Sequence, residues 1–191
     1  LSAYMNDPDL EVYKYMLSEV RRSKRHILSA EEERLLALGQ TTYSGYSNVF
    51  GMINNVDMPF PKIDVNGKKV KLTHGLYSEC LSSLDPALRK KAFEGMYKAV
   101  GSLINTIGAN YAASVAKDNY LATARGYASA VEKSTDSDNV PGEVYTKLVK
   151  TVGENLEPVH RYVALRKKAL GAEKLHMYDL YVSLVKEADL K

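Results

Sequence analysis

The sequence predicts an all-α fold, a multi-helix array around one long helix, with a small β-hairpin near residues 62–72. Apolar residues from Asp85 to Arg125 recur every three or four positions, which is the repeat of a helix face. Aspartate followed by proline, a signal for a helix start, occurs at Asp7-Pro8 and again at Asp85-Pro86. Asn66-Gly67 separates two short segments of β type, as in a hairpin with a type I′ turn.

The first long helix is predicted to follow Asp7-Pro8, after Leu1–Met5, which resembles the end of an earlier element. Its apolar face is formed by Leu10, Tyr13, Met16, Leu17 and Val20. The helix ends in a basic cluster of Arg21, Arg22, Lys24, Arg25 and His26. Cations in a last turn interact favourably with the helix dipole. Nucleic-acid binding is the alternative interpretation, but it is less favoured because no aromatic residues are interleaved in this short cluster.

A capping box predicts the next helix start. Ser29 and Glu32 are three positions apart, so each side chain can bond the free backbone N–H of the other. We expect helix through Leu38 and again after Gly39, until Asn54–Pro59 ends it. The side chains expected to face inward are Tyr43, Tyr46, Val49 and Phe50.

The segment Pro61–Thr73 carries the hairpin. Lys62-Ile63-Asp64 and Lys69-Val70-Lys71-Leu72 flank the Asn66-Gly67 turn, and the hairpin is expected to lie on the helical body because two strands are too few for an independent sheet. Thr73 is expected to cap a short helix that contains Cys80.

The long helix is predicted from Asp85 to about Arg125, with a bend or close contact at Gly101 or Gly108. Its inward residues are expected to be Phe93, Met96, Tyr97, Val100, Leu103, Ile104, Ile107, Tyr111 and Val115. Its outward residues are expected to be Arg89, Lys90, Lys91, Glu94 and Lys98.

Beyond Arg125 we expect the helix to weaken and residues 133–139 to form a polar loop. A further helix should begin at Val140-Pro141 and be kinked or broken at Pro158. Its apolar face comprises Val144, Tyr145, Leu148, Val149, Val152, Leu156 and Val159. After the proline, Tyr162, Leu165 and Leu170 are expected inward, and Arg161, Arg166, Lys167 and Lys168 outward. Gly171 ends this helix, and Leu175–Leu184 should be extended or loosely helical.

Composition is typical of a soluble globular chain: 191 residues, 45% hydrophobic and 26% charged, with a net charge of +3. This charge does not argue for nucleic acid or a membrane surface, and no apolar run reaches the length of a bilayer span. The single cysteine, Cys80, is compatible with a reducing cytoplasm. Fourteen tyrosines fit either a helical core with wet edges or a polar cavity lined by tyrosine.

The sequence displays no active site of its own. The histidines, at positions 26, 74, 160 and 176, are neither four apart nor followed by glutamate, so the His-Glu-x-x-His zinc arrangement is absent. Cys80 lies on an apolar helix face, and Asp179 is expected to cap a turn or pair with an arginine. We therefore predict no catalytic, cofactor-binding or metal-binding residue in this chain.

An ordered series of segments nevertheless resembles one enzyme family. Residues 22–33 are similar to its stretch R-x-K-x-H-x-L-S-x-x-E-E, and residues 54–63 to N-x-D-x-x-F-P-x-I. Further similar segments are 72–75, 85–93, 105–106, 125–130, 140–141 with Tyr145, 161–171 and 178–180. In this order the segments resemble the oligoendopeptidase F family of zinc metallopeptidases.

The resemblance implies a mostly helical zinc endopeptidase with a deep channel that admits oligopeptides and excludes folded proteins. In that family a His-Glu-x-x-His helix and a downstream glutamate hold the zinc, and the motif's glutamate is the general base for a zinc-bound water. No position of this chain matches those residues. The implied partners are oligopeptide substrates and the remainder of the same polypeptide, without nucleic acid or membrane.

On this interpretation the chain is a piece of the peptidase, cut at both ends and inactive alone. Residues 1–6 would be the tail of a preceding domain, residues 7–133 a helical body with the hairpin, and residues 134–191 the start of the catalytic-domain scaffold. The alternative function is a self-standing helical module for protein interaction. The expected location is the cytoplasm.

Overall fold

The structure is a computed structural model, and it describes residues 1–185. The helices are α1 (Ser2–Met5), α2 (Lys14–Ser23), α3 (Ala30–Leu38), α4 (Gln40–Met52), α5 (His74–Ser82), α6 (Pro86–Ser102), α7 (Ile104–Ala124), α8 (Ala130–Asp136), α9 (Gly142–Glu154) and α10 (Glu157–Ala169). The strands are β1 (Lys62–Val65) and β2 (Lys68–Lys71). Short 3₁₀ segments cover Pro8–Tyr13, Lys24–His26 and Met177–Asp179, and a π-helical turn covers Ile53–Asp57.

The predicted class is confirmed, because helices dominate and a single antiparallel hairpin accompanies them in the described residues. The chain forms two compact units. Unit 1 contains Leu1–Val49 and Asn110–Tyr145, and unit 2 contains Phe50–Ala109 and Thr146–Lys191. The boundaries expected after residues 6 and 133 stay predictions, and residues 186–191 of the last expected segment lie outside the described part.

The core of unit 2 forms where the hairpin packs on α5 and α6. Its buried side chains are Ile63, Leu72, Cys80, Ala92 and Met96. A neighbouring cluster joins the π-helical turn to the end of α6 through Ile53, Met58 and Ala99. The hairpin is therefore held to the helical body by its apolar face, as the sequence predicted.

Gly95 lets the hairpin approach α6 closely. A Cβ atom at this position would lie 3.2 Å from Pro61 Cγ and 3.3 Å from Leu72 Cδ2, which is tighter than ordinary van der Waals contact. Glycine lowers helix propensity by about 1 kcal/mol relative to alanine, and close packing against Leu72 is the local reason for its presence.

The local signals read from the sequence are found where they were expected. Ser29 and Glu32 form the capping box. The side chains of Thr73 and Asp85 accept backbone N–H groups at the starts of α5 and α6. Asp7 also accepts one, but it caps the 3₁₀ segment Pro8–Tyr13, and the α-helix expected there begins only at Lys14. In the turn, Asn66 and Gly67 have φ of 52° and 79°, the left-handed conformation that asparagine and glycine tolerate.

The predicted long helix is divided into α6 and α7, close to one of the two glycines where a bend was expected. The interruption lies at Leu103, whose φ of −111° and ψ of 12° end α6 two residues after Gly101. On α6, Met96 is buried as predicted, but Tyr97 is 58% exposed against expectation, and the small residues Ala92 and Ala99 are buried without having been predicted. Small residues allow the hairpin and its neighbours to approach, and a search for large apolar residues misses them.

The polar loop predicted at residues 133–139 is confirmed only for residues 137–139, which form a turn, because α8 covers Ala130–Asp136. Ser129 accepts the N–H of Glu132, and Glu132 accepts the N–H of Ala128. These bonds satisfy two open N–H groups and begin a helix whose polar composition had suggested a loop.

Pro158 breaks the helix as predicted, since α9 ends at Glu154 and Pro158 lies in the first turn of α10. The apolar side chains along these helices are, however, largely exposed. Seven of these side chains have exposed fractions between 40% and 62%, and together we call them the α9–α10 face: Leu148, Val149, Val152, Leu156, Val159, Tyr162 and Leu165. Val49 and Phe50 of α4 are likewise exposed, against expectation.

The core assignment predicts a sharp contrast between two leucines of unit 2. Leu72 has no exposed surface, whereas Leu84 is 81% exposed. Leu72→Ala is expected to lower the free energy of unfolding by about 3 kcal/mol, because it leaves a cavity beside Met96. The matched change Leu84→Ala is expected to cost less than about 0.5 kcal/mol. Urea denaturation of both variants measures the difference, and equal losses would contradict this core.

Candidate functional site

A buried ion pair connects the first turn of α6 to the segment after α10 in unit 2. The Arg89 Nε and Nη2 atoms lie 3.0 and 2.7 Å from Asp179 Oδ1, and both side chains are less than a tenth exposed. Arg89 Nη1 also donates to the carbonyl oxygen of Ser83 at 2.8 Å. The pair therefore fixes the segment around Asp179 to the start of α6.

The second oxygen of Asp179 holds its own turn. Asp179 Oδ2 accepts the backbone N–H of His176 at 2.9 Å, which caps the short 3₁₀ helix Met177–Asp179. Burial alone would raise the pKa of the Asp179 carboxyl. The hydrogen bonds from Arg89 and His176 outweigh burial and hold this pKa below its ordinary value. Asp179 is therefore ionised at neutral pH.

Arg166 binds the same segment from α10. Its Nη2 atom donates to the carbonyl oxygens of Asp179 and Val182, and its Nη1 atom donates to the Tyr162 hydroxyl at 3.1 Å. Its Nε atom is buried without a hydrogen-bond partner among the described residues. Arg89 and Arg166 were both expected to point outward. The structure corrects this, because Arg89 pairs with Asp179 and Arg166 donates to carbonyl oxygens inside the fold.

The capping or pairing role that the sequence suggested for Asp179 agrees with these contacts, since Asp179 does both. The identity of its partner was missed. Arg89 lies 90 positions away, within a run of cations whose other members Lys90 and Lys91 are exposed. The available signal was its spacing, since Arg89, Ala92 and Met96 share one helix face.

Unit 1 contains a second network of charges, built around Arg125. Its guanidinium donates two bonds of 2.8 Å to Glu33, one to each carboxylate oxygen. The hydrogen bonds from Arg125 are the main reason that the pKa of Glu33 lies below its ordinary value. His26 is buried beside this pair, with Nδ1 2.8 Å from the Arg125 carbonyl oxygen and its ring stacked on Tyr127.

The basic cluster Arg21–His26 is partly absorbed by the same network. Arg22 pairs with Glu19 and Asp136, and Tyr127 donates its hydroxyl to Asp136 at 2.9 Å. Arg25 Nε lies 2.9 Å from His26 Nε2. These contacts support a structural role for Arg22 and His26 at this helix end.

The structure does not bring the histidines together. His26 is buried in unit 1, His74 meets Phe60 edge-on in unit 2, His160 is exposed on α10, and His176 caps the turn at Asp179. Within residues 1–185, no group of three or more His, Cys, Asp or Glu side chains is placed to hold a metal ion.

Cys80 is 2% exposed in the core of unit 2. Burial raises the pKa of its thiol, with a smaller effect from Glu79, which keeps the thiol protonated and argues against a nucleophilic role. No helix within residues 1–185 is both long and apolar enough for a bilayer span. That this chain contributes no catalytic, cofactor-binding or metal-binding residue stays a prediction.

The described residues define a predominantly helical protein with one hairpin, in which a buried ion pair and a second charge network connect distant segments. Comparison with known proteins identifies its family. The family model described as Oligopeptidase F matches residues 1–60, and the model described as Peptidase family M3 matches residues 80–191. The chain belongs to peptidase family M3.

Individual relatives agree with this assignment. The chain is 40% identical to the oligopeptidase PepF of Bacillus subtilis over 184 residues, and 35% identical to the group B oligopeptidase PepB of Streptococcus agalactiae over 178 residues. These alignments cover 96% and 93% of this chain but 28% and 30% of the relatives. The crystal structure of oligoendopeptidase-F from Enterococcus faecium superposes with a TM-score of 0.88 at 38% identity, covering 96% of this chain and 37% of that one.

The buried pair in unit 2 predicts a specific loss of stability. Asp179→Asn removes the charge opposite Arg89 and leaves a buried guanidinium without its counter-ion. We expect the free energy of unfolding at pH 7 to fall by about 3 kcal/mol. The control is Asp57→Asn, at an exposed aspartate of the same unit, for which a change below about 0.5 kcal/mol is expected. Urea denaturation that gives the two variants equal stability would contradict the role of the pair.

The pH dependence of that loss follows from the lowered pKa of Asp179. A carboxyl whose pKa is lower in the folded than in the unfolded state stabilises the fold above the unfolded value of about 3.9, and this stabilisation disappears as the pH falls through the folded pKa. The stability difference between the parent chain and Asp179→Asn should therefore be full at pH 6–7 and shrink below about pH 4. Denaturation curves at several pH values measure it, and a difference independent of pH would contradict the assignment.

Proposed function

We propose that this chain is the helical scaffold of a zinc metalloendopeptidase that hydrolyses short oligopeptides. The supporting observation is the agreement of two family models with residues 1–60 and 80–191. The relatives are named as oligopeptidases, and the chain spans 28% and 30% of the lengths of PepF and PepB. We therefore propose zinc binding, peptide hydrolysis and a cytoplasmic location for the whole protein of which this chain would be a part.

Within that protein, we propose that the chain supplies channel wall and scaffold and that the zinc ligands come from other residues. The sequence supports this proposal, since its histidines lack the spacing of a His-Glu-x-x-His helix. The contacts of three residues of reactive type also support it. Asp179 pairs with Arg89, His26 hydrogen-bonds the Arg125 carbonyl oxygen, and Cys80 is buried in the core.

The exposed α9–α10 face supports a scaffold that packs on other parts of the polypeptide. Its exposed side chains recur along two consecutive helices, mostly every three or four residues, so each helix presents a row of apolar side chains. Single exposed leucines are ordinary in proteins, whereas contiguous apolar surfaces mark contacts with further protein. The remainder of the peptidase is the partner that we propose for this face.

The proposal predicts different behaviour for the 191-residue chain and for a full-length peptidase that contains it. The chain alone is expected to bind no stoichiometric zinc and to leave a quenched fluorescent oligopeptide intact, because the metal ligands lie elsewhere. The full-length protein is expected to bind one zinc ion and to cleave the peptide, and a chelator should abolish cleavage. Metal analysis and the fluorescence assay, run side by side, measure both.

Zinc binding or peptide cleavage by the chain alone would overturn the scaffold role. A full-length protein that leaves oligopeptides intact with zinc present would overturn the peptidase. A self-standing interaction module is the competing function. It predicts cooperative melting of the isolated chain as a monomer without binding of a hydrophobic dye, whereas a scaffold with an exposed α9–α10 face should bind the dye.

A further inference from the structure

A cleft in unit 2 opens beside the buried ion pair. Its volume is about 600 Å³, which is within the usual range for binding sites of small ligands. The segment that follows α10 forms one side, and the residues just before and at the start of α6 form the other. The hydrogen bonds of the buried ion pair do not by themselves account for an open space of this size beside it.

The polar part of the cleft carries a surplus of positive charge. Arg89 and Lys174 line it, and Asp179 is the single carboxylate among the described residues that do so. The charge of Asp179 is already matched by Arg89 at 2.7 Å. The remaining charge is that of Lys174, which is exposed and forms no ion pair with a described residue, so its ammonium favours an anion at this end.

The rest of the cleft is apolar. Leu170 lies at the end of α10, and Val182 and Leu184 come from the segment that follows it. Apolar walls beside a cationic end favour a ligand that joins a negative charge to an aliphatic group. The C-terminal residue of a peptide has this combination, because its carboxylate and its side chain leave the same carbon atom.

We propose that this cleft binds the C-terminal residue of a short peptide, with its carboxylate at Lys174 and its aliphatic side chain against Leu170 and Leu184. The inference deepens the proposed function, because oligopeptide substrates and products are the source of such ends. Binding does not require catalysis, so it can be tested independently of hydrolysis.

The test uses N-acetyl-leucine, which carries both groups, and N-acetyl-leucinamide, which lacks the charge. Isothermal titration calorimetry is performed on the 191-residue chain and on the full-length peptidase. N-acetyl-leucine is expected to bind saturably at one site in both proteins, and the amide about tenfold more weakly, because it cannot form charge-assisted hydrogen bonds. Lys174→Gln should weaken binding of the acid about fivefold and leave binding of the amide unchanged.

Lys168→Gln is the matched control, since Lys168 is an exposed lysine of α10 that does not line the cleft. It is expected to leave both affinities unchanged. Equal affinity for acid and amide, or an affinity that Lys174→Gln does not alter, overturns the proposal. Binding by the chain but not by the full-length protein also overturns it, because other parts of the polypeptide then occupy the cleft. A full-length protein that cleaves peptides without Lys174-dependent binding overturns this inference alone and leaves the proposed function in place.

Discussion

The structure of unit 2 depends on the buried contact between Arg89 and Asp179. It connects residues 90 positions apart, and it places the segment after α10 beside the start of α6. Taking two charges out of water costs several kcal/mol for each ion, so the pair is stable only when its remaining polar atoms are satisfied. Ser83 accepts from the guanidinium and the His176 N–H donates to the carboxylate, which meets this condition.

Directional bonds also determine how the segment lies. An apolar contact tolerates sliding of one element past another, whereas Arg89 and Arg166 donate to particular atoms. Arg166 donates hydrogen bonds to the carbonyl oxygens of Asp179 and Val182, and Val182 is 1% exposed. A shift of the segment by one residue would separate both arginines from their acceptors and expose Val182. The charges thus specify position, while the neighbouring apolar side chains supply most of the favourable burial free energy.

Much of the fold was predictable because its signals are local. The Ser29–Glu32 capping box, the Asn66-Gly67 turn and Pro158 each act within a few residues, and each is found as expected. Long-range partners were not predictable. Arg89 and Arg166 look like solvated cations until a carboxylate or carbonyl group from elsewhere is placed beside them. The break at Leu103 was only partly visible, since glycine marks a weak point in a helix without deciding where the helix stops.

The apolar repeats illustrate the same limit on a larger scale. A spacing of three and four identifies which face of a helix is apolar, but it does not say which polypeptide covers that face. The α9–α10 face has the repeat of a core helix and the exposure of a surface helix. Both observations agree if the sequence was selected in a longer protein, such as relatives of which this chain spans less than a third. Under the proposed function, further polypeptide covers this face, and the burial seen in the described residues is then only part of the apolar contact that the sequence encodes.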